Sequence, residues 1–399
     1  MKKLRTIKVL ETICFLVVLV LSFVQVTFAS SYKVRFIRFD DIRPRGSNLT
    51  VCWGGIGIDH NQNVYFAASD QREDHPDDTV LFRYNTQTGA RKLLGTLRGI
   101  SAAEGNLNPE ENIGKVHVSI QEHKGKMYFS SHDYHDIKSD YSDMYERRGG
   151  HFYTFDLKTE EFEDLSKTDN YGVSVPYQGI IAMDILRKQD KLVGFTFPMG
   201  DFLIYDLKKR KTTFYPGVPE YRMWNVSREI WATKKGKVYF SYYADDFWLW
   251  EFEVKTGAIK RTEKRNILRQ GSLHGKVATR DGNTIYLLGL YGNLYAFDVG
   301  EEHLEDLGSL LPPEEIAQGG SVTFAHSLIL SHDEKALYTL PRSILYKYDI
   351  ETGQKTRLAD FSSVLKGTVT GSGVIDDQGR MYFGYHSGGD EGQDARLIQ

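Results

Sequence analysis

The sequence of 399 residues contains only two cysteines, Cys14 and Cys52. Cys14 lies inside an amino-terminal apolar run, so a single cysteine remains if that run is removed, and no internal disulfide can form. The stability of the folded chain must then come from its core rather than from covalent cross-links. Hydrophobic residues make up 41% of the chain, which is enough for one large core or for two domains.

Long hydrophobic runs are scarce as well. The one long run, from Ile13 to Val26, follows a basic stretch and precedes small residues near Ala29. This layout is typical of a secretory signal peptide, and the run is short for a membrane span; an uncleaved signal anchor is the alternative. We predict a signal peptide over residues 1–29, a single domain over residues 30–399, a secreted or periplasmic location, and no stable membrane insertion after cleavage.

An excess of basic charge is missing too. The formal charge is -3, and loss of residues 1–29 removes four basic residues and one acidic residue, which gives about -6. An acidic chain of this kind is a poor candidate for binding nucleic acid. The chain also lacks the Ser-x-Asp-x-Gly-x-Thr-Trp box of sialidases, a Gly-x-Ser-x-Gly elbow and a glycine-rich phosphate loop, which argues against those function classes.

A repeated hairpin pattern is what the sequence does contain. Segments such as "LFRYNTQTGARKLLG" and "LYKYDIETGQKTRLA" read as two alternating strands around an Asp or Asn turn. The turn residues occur at positions 85, 156, 206, 253, 298 and 349, and after the first interval their spacing is 45 to 51 residues. This period is the size of one four-stranded propeller blade.

The repeats predict an all-β fold, a seven-bladed β-propeller with four-stranded antiparallel blades. Six full repeats are followed by a remnant ending at His386, and an early strand at 32–39 can supply its missing outer strand. The ring would then be closed by amino- and carboxy-terminal strands, which leaves few exposed sheet edges. A pair of antiparallel sandwiches is the alternative, but sandwiches do not need so regular a repeat. The best helical segment is a short one at 311–318.

Aligning the repeats on the aromatic residue of the second strand places several polar side chains at equivalent points. In an antiparallel blade the start of the first strand and the end of the second lie on the same face, so these side chains should rim one central opening. Eleven or twelve residues before the aromatic stand His117, Arg228, His274 and His326, blade 3 offers Tyr177 and Gln178, and four residues after it stand His132, Tyr243, Arg342 and His386.

A rim of His, Arg and Tyr suits an anionic, hydroxyl-rich ligand, because arginine pairs with carboxylate or sulfate groups. The sharpest fitting reaction is β-elimination of a uronic-acid-containing, and in some cases sulfated, polysaccharide or oligosaccharide. It needs a cation on the carboxylate, a base for the C5 proton and an acid for the leaving oxygen. We assign the base to His117 or His132, the neutralising cation to Arg228 and the acid to Tyr177 or Tyr243.

The pattern resembles the secreted seven-bladed propeller lyases of bacterial polysaccharide utilisation, namely the ulvan lyases and, more distantly, the oligogalacturonate lyases. The resemblance implies a carbon-oxygen lyase whose catalytic positions are His117, His132, Tyr177 and Arg228. The segment "GFTFPMGDF" of blade 3 contains no arginine, so the neutralising arginine comes from a later blade than in that family. The substrate-binding set would be Tyr243, His274, His326, Arg342 and His386.

Other readings stay open. Converging histidines can hold a divalent metal such as Zn or Mn, and Asp133, Asp136, Asp140 and Asp143 can hold Ca, although a solvated loop fits their spacing better. The main alternative is a non-catalytic propeller, acting as a monomer, that binds a glycan or a protein partner through the same face. Lactone or ester hydrolysis around a funnel metal would need acidic ligands that the aligned positions do not provide.

Overall fold

The repeats form antiparallel sheets in the computed structural model of the chain. It describes residues 32–71, 76–132, 143–221, 227–242, 248–263, 268, 273–289, 291–313, 326–386 and 395–399. The propeller occupies a compact unit that runs from Val34 to Gln399. The predicted signal peptide lies outside the described residues.

Seven four-stranded antiparallel sheets make up the described part of the propeller, as the repeat predicts. Blades 1 to 3 consist of β2 (Ile56–Ile58), β3 (Asn63–Asp70), β4 (Asp78–Asn85) and β5 (Arg91–Thr96); β6 (Gln121–His123), β7 (Lys126–Ser130), β9 (Phe152–Asp156) and β10 (Phe162–Asp164); and β12 (Gly179–Leu186), β13 (Lys191–Phe197), β14 (Phe202–Asp206) and β15 (Lys211–Tyr215). A short extra pair, β8 (Gly149–Gly150) with β11 (Val175–Pro176), joins blades 2 and 3.

The remaining blades follow the same plan. Blades 4 to 6 consist of β16 (Trp231–Ala232), β17 (Lys237–Ser241), β18 (Leu249–Glu253) and β19 (Ala258–Arg261); β20 (Leu273–Ala278), β21 (Thr284–Gly289), β22 (Asn293–Asp298) and β23 (His303–Ser309); and β24 (Ile329–Leu330), β25 (Ala336–Thr339), β26 (Ile344–Asp349) and β27 (Lys355–Asp360). Blade 7 consists of β28 (Thr368–Ile375), β29 (Met381–His386), β30 (Ala395–Ile398) and β1 (Phe36–Ile37).

Both ends of the chain close the ring, and this confirms the prediction from the sequence. Strand β1 pairs with β30 as the outermost strand of blade 7, with Phe36 opposite Ile398. The Arg35 amide donates to the Gln399 carbonyl over 3.0 Å, and the Gln399 amide donates back to the Arg35 carbonyl over 2.9 Å. The inner strand β28 then contacts β2, so the last blade packs against the first.

The turn residues of the repeat fix the outer hairpins through their side chains. The Oδ1 atom of Asp156 accepts hydrogen bonds from the amides of Lys158 and Thr159, at 2.9 and 3.1 Å. Asn85 and Asp349 make the equivalent bonds in blades 1 and 6. A short acceptor side chain at this position satisfies the turn amides, which explains why the sequence repeats it.

Aromatic and branched side chains between neighbouring sheets form the core. Phe202 of blade 3 stacks on Phe252 of blade 4 with ring centroids 4.4 Å apart, and Phe240 packs edge-on against Phe202 at 4.8 Å. A tyrosine hydroxyl adds a further contact in blades 1 and 7. The hydroxyl of Tyr65 donates to buried Asp59, and that of Tyr382 donates to buried Asp376. These contacts hold the second strand of a blade to the turn before it.

Among the described residues, helix occurs only in short connections. The helix α1 (Leu97–Ala103) follows β5, and the Oγ1 atom of its N-cap Thr96 accepts a hydrogen bond from the Gly99 amide. Single 3₁₀ turns occur at Met144–Glu146, Leu165–Thr168, Asn170–Gly172 and Pro219–Tyr221. Most of the helical segment predicted at 311–318 lies outside the described residues.

Candidate functional site

The predicted rim side chains sit at the starts of the inner strands of several blades. His117 precedes β6, Arg228 precedes β16 and His326 precedes β24, while His274 lies at a β-bulge between Leu273 and Gly275 in β20. A bulge re-aims a side chain relative to a regular strand. We call His117, His132, Arg228, His274 and His326 the rim cluster.

Backbone hydrogen bonds lock the blades together at this rim. The amide of Arg228 donates to the carbonyl of Leu273 over 3.2 Å, which fixes Arg228 beside His274. The amide of His132 donates to the Lys115 carbonyl over 2.8 Å, which places His132 against the strand that carries His117. The rim geometry therefore comes from main-chain pairing rather than from flexible loops.

His117 is held in one tautomer. Its Nδ1 atom lies 3.1 Å from the carbonyl oxygen of Ile181 in the neighbouring blade. A carbonyl can only accept, so Nδ1 carries the proton and the neutral ring presents Nε2 with a lone pair. Burial, followed by the positive charges of Arg228 and Lys115, lowers the pKa of His117 well below its usual value. The ring is therefore neutral at pH 7 and able to take up a proton.

Aromatic rings line the rim on either side of His117. Trp53 of blade 1 stacks beside it with ring centroids 6.1 Å apart, and the His132 ring lies 6.1 Å away on the other side. His132 in turn packs against Phe197 at 5.5 Å. A Cβ atom at Gly179 would lie 2.7 Å from the His132 ring, so the bare glycine is what allows this close packing. The result is a continuous row of rings from blade 1 to blade 3.

Arg228 connects that row to the histidines of the later blades. Its guanidinium lies over the Phe197 ring, with Cζ 5.7 Å from the centroid. The Nδ1 atoms of His274 and His326 are 3.0 Å apart, so one ring donates and the other accepts. Burial and then the charge of Arg228 lower the pKa of His326 to about 4, and burial, His326 and Arg228 lower that of His274. Both rings are neutral at pH 7.

The other predicted binding residues have different surroundings. His386 ends β29, and its charge also lowers the pKa of His326. The buried Nδ1 atom of His386 has no hydrogen-bonding partner in the described part of the chain. Arg342 lies in the turn between β25 and β26 with φ of 54°. Tyr243 lies outside the described residues. His386 thus extends the rim cluster into blade 7.

Tyr177 occupies a neighbouring cavity. Its ring packs edge-on against Tyr145 with centroids 5.3 Å apart, and its side chain is 40% exposed. It lines a cavity of about 640 Å³ together with Tyr171 and Phe214, and no rim histidine lines that cavity. Gln178, its neighbour in sequence, instead turns inward and donates from Nε2 to buried Asp201 over 2.8 Å. Tyr177 therefore borders the rim cluster without a ring contact to His117 or His132.

The central channel below the rim holds a buried ionic group. The lining of a cavity of about 670 Å³ includes His326, Asp184, Glu229 and Lys276. The Nζ atom of Lys276 lies 3.1 Å from Asp184 and 3.5 Å from Glu229. Burial raises the pKa of Glu229 to about 7 against the opposing effect of Lys276. These three side chains come from three blades and tie them together across the channel.

Several histidines outside the rim have structural partners. His151 is fully buried, with Nε2 2.7 Å from Glu111 and Nδ1 3.0 Å from Asp164. Burial would lower its pKa, but the two carboxylates outweigh burial and raise the pKa to about 9. His123 pairs with Asp190 at 2.9 Å on the turn side of blade 2. His151, which opens β9 near His132 in sequence, therefore faces carboxylates in the interior and not the opening.

The described rim histidines do not converge on a single point as metal ligands do. Within the described ranges, no group of three or more His, Cys, Asp or Glu side chains is arranged to hold an ion. The His274 and His326 rings direct their Nδ1 atoms at each other, which takes one nitrogen of each away from any ligand. Asp133, Asp136 and Asp140 of the candidate calcium loop lie outside the described residues. The described rim therefore does not present a set of three such ligands to Zn or Mn.

Three rim residues escaped the sequence reasoning. Trp53 precedes Tyr65 by twelve residues, the same offset that identifies His274 and His326, so the alignment already held the signal. Lys115 belongs to the rim because its ammonium lies 3.7 Å from the centroid of the Trp53 ring. Phe197 ends β13 at the point equivalent to His132. A search restricted to polar residues passes over both aromatic side chains.

Comparison with known proteins supports the fold. No protein-family model matches the chain, and no curated protein matches it. An extracellular domain assigned to a hybrid two-component system of B. thetaiotaomicron matches with a TM-score of 0.54 and 12% identity, over 92% of this chain and 40% of that one. A second structure of that extracellular domain, described as a one-component system, gives 0.51 and 12%, over 88% and 38%.

A further match comes from a crystal structure of the mitotic checkpoint complex, with a TM-score of 0.54, 9% identity, and coverage of 92% of this chain and 90% of that one. This chain spans about two fifths of the length of the bacterial matches. At these identities the likeness shows the propeller fold alone. Among the described residues, no helix has the length and apolar character needed to cross a bilayer.

Proposed function

We propose that this chain is a secreted or periplasmic propeller lyase that cleaves a uronic-acid-containing polysaccharide or oligosaccharide by β-elimination. The observation that supports this proposal most strongly is a neutral base next to a fixed positive charge. His117 presents Nε2 because Nδ1 donates to Ile181, and the charges that act on His117 are those of Arg228, Lys115 and the rim histidines. This combination suits abstraction of a proton next to a carboxylate.

The proposed roles follow from the chemistry of elimination. Arg228 binds the substrate carboxylate and stabilises the negative charge that develops as the C5 proton leaves. The Nε2 atom of His117 takes that proton, with His132 as the alternative base. A tyrosine hydroxyl, from Tyr177 or Tyr243, protonates the departing glycosidic oxygen. The C5–H electron pair forms the new C4–C5 double bond as the C4–O bond breaks, so no external oxidant or reductant is needed.

Ultraviolet absorbance tests this proposal directly, because elimination creates a conjugated double bond that hydrolysis does not. Purified protein would be incubated with polygalacturonate, alginate, ulvan and chondroitin sulfate, and the absorbance followed with time. We expect a rise with at least one polymer. We expect His117→Ala and Tyr177→Phe to lower the rate by at least about a hundredfold, whereas His60→Ala, on the opposite face, keeps it. No rise with any polymer, or full activity in His117→Ala, would reject the assignment.

A non-catalytic glycan-binding propeller is the second candidate. The placement of Tyr177 in the cavity beside the rim favours it, since an elimination acid must reach the same sugar as the base. The bacterial extracellular domains of similar fold belong to regulatory systems, which is consistent with ligand binding without turnover. Retained binding of an acidic polymer by wild-type protein, without any increase in absorbance, would favour this function over the lyase.

A further inference from the structure

Exposed aromatic side chains cluster at one place on the described surface. Tyr145, Tyr171, Tyr177 and Phe214 are four of the six large hydrophobic side chains that the described residues expose, with exposed fractions from 40% to 78%. Scattered exposed apolar residues are ordinary, but a cluster marks an interaction site. The cluster surrounds the cavity of about 640 Å³ between the 168–178 connection and the outer strand β15.

The backbone holds two of these rings in an unusual conformation. Tyr171 has φ of 61° and Tyr177 has φ of 64°, in the left-handed region that bulky side chains rarely adopt. Both residues line the cavity. Backbone strain of this kind persists where the surrounding structure requires a particular side-chain placement, and it is common in ligand-binding segments.

The cavity is also positively charged on one side. Lys209 and Lys211 line it and are exposed, whereas Arg210 between them turns to Glu163. The one carboxylate in the lining, Asp169, accepts hydrogen bonds from the amide and hydroxyl of Thr212. Aromatic faces next to free ammonium groups complement a sugar chain that carries carboxylates.

We propose that Tyr171, Tyr177, Phe214, Lys209 and Lys211 form an aromatic cleft that binds the backbone of an acidic polysaccharide outside the rim. The cleft and the rim cluster are close along the chain, because Tyr177 lies two residues before Gly179, which packs on the His132 ring. A polymer lying in the cleft would therefore present a neighbouring unit to the rim cluster. The cleft adds affinity for long chains, and a short oligosaccharide seated at the rim does not need Tyr171, Phe214 or the two lysines.

Direct binding to sodium polygalacturonate, measured by calorimetry, tests the cleft. Phe214 lies on a regular strand and is used for neither acid nor base, so Phe214→Ala should fold normally, which a thermal melt verifies. We expect Phe214→Ala, and separately the double variant Lys209→Gln/Lys211→Gln, to weaken binding about tenfold. Tyr32→Ala, another exposed aromatic outside the cleft, is the matched control and should bind like wild type.

The outcomes separate the cleft from the lyase, since the cleft rests on the proposed substrate class but not on turnover. Wild-type binding of polygalacturonate that both variants weaken would support the cleft, and it would do so even if none of the four polymers gave an unsaturated product, a result that would reject the lyase. Unchanged binding in both variants would overturn the cleft whatever the activity. Equally tight binding of neutral hydroxyethyl cellulose, or no binding of polygalacturonate or alginate, would overturn it as a site for acidic chains.

Discussion

The Nδ1 atoms of His274 and His326 lie 3.0 Å apart, so neighbouring blades of the propeller share one proton between two imidazoles. The contact sits beside Arg228, whose positive charge disfavours a second proton on either ring. The rim therefore holds several histidines that are neutral at pH 7, although their unperturbed pKa values lie near neutrality. Four predictions follow from the charges and partners of named residues.

The first concerns the protonation of the rim. We expect the His326 ring to titrate with a midpoint of about 4, because burial, Arg228 and His386 all oppose its charged form. Replacing the arginine in Arg228→Met should raise the midpoints of His117, His274 and His326 together, since its charge lowers each pKa. Imidazole proton shifts in NMR spectra recorded against pH measure this. Rim midpoints that stay where they are in Arg228→Met would contradict the prediction.

The second concerns the pH dependence of turnover. A base must be deprotonated, and the pKa of His117 is lowered by burial and by Arg228 and Lys115. The acidic limb of kcat/KM, which reports the free enzyme, should therefore fall well below pH 6.5. Arg228→Lys keeps the charge and should keep the limb in place while lowering the rate, because lysine cannot bind a carboxylate with a planar fork. An acidic limb at or above pH 6.5 would argue that His117 is not the base.

The third concerns the buried His151. Its imidazolium lies between Glu111 and Asp164, so His151→Gln leaves buried Asp164 without its cation and Glu111 with Arg148 alone, and it should destabilise the fold by roughly 3–5 kcal/mol at pH 7. The pKa of His151 is raised to about 9, so this stabilisation is complete below pH 6.5 and is lost as the pH rises through 9. Urea unfolding at pH 7 and pH 10 tests both statements.

A matched control exists for His151. His60 also pairs with a carboxylate, Glu122, but its side chain is 62% exposed, so His60→Gln should cost less than about 1 kcal/mol. If both substitutions cost the same at pH 7, the buried pair does not have the role described here.

The fourth concerns Glu229 in the central channel. Burial raises its pKa to about 7, so the folded chain binds a proton more tightly than the unfolded chain does. The folded state therefore loses stability as the pH rises from about 4.5 to about 7. Glu229→Gln removes this loss, so the free energy of unfolding of the variant relative to wild type should be higher at pH 8 than at pH 5. For the exposed Glu161→Gln, the difference in the free energy of unfolding between variant and wild type should be the same at pH 5 and pH 8. The same result for Glu229→Gln would contradict the prediction.

The fold was predictable because each blade is specified by residues that are close together in the sequence. Turn residues such as Asp156 and Asp349 bond to their own hairpin amides, so the information lies within five residues of chain. The ring closure was also predictable, since a blade remnant at one end needs a strand from the other. The alignment could select His117, Arg228, His274 and His326 because the repeat keeps each of them eleven or twelve residues before the blade aromatic.

The rest of the site was harder to predict, for physical reasons that differ from residue to residue. Tyr177 lies in blade 3, where a longer connection and a left-handed backbone turn its ring toward Tyr145. The spacing of residues in the sequence does not reveal such a backbone conformation. The partners of His151 are Glu111, on the connection before β6, and Asp164, at the end of β10, and no spacing in the sequence relates the two. Trp53 was at the right spacing, but its contribution depends on a ring contact with His117 that only the packed blades create.

The hydrogen bonds between Arg35 and Gln399 join the two ends of the propeller, so the fold does not require the chain to start in one particular blade. Because Arg35 and Gln399 bond to each other, the two ends of the propeller segment meet in blade 7. A short linker between those ends, with a new opening at an exposed outer hairpin such as 157–160, would give a permuted chain with the same seven sheets and the same rim. The ring would then begin and end far from His386, which would free blade 7 from its dependence on the chain termini.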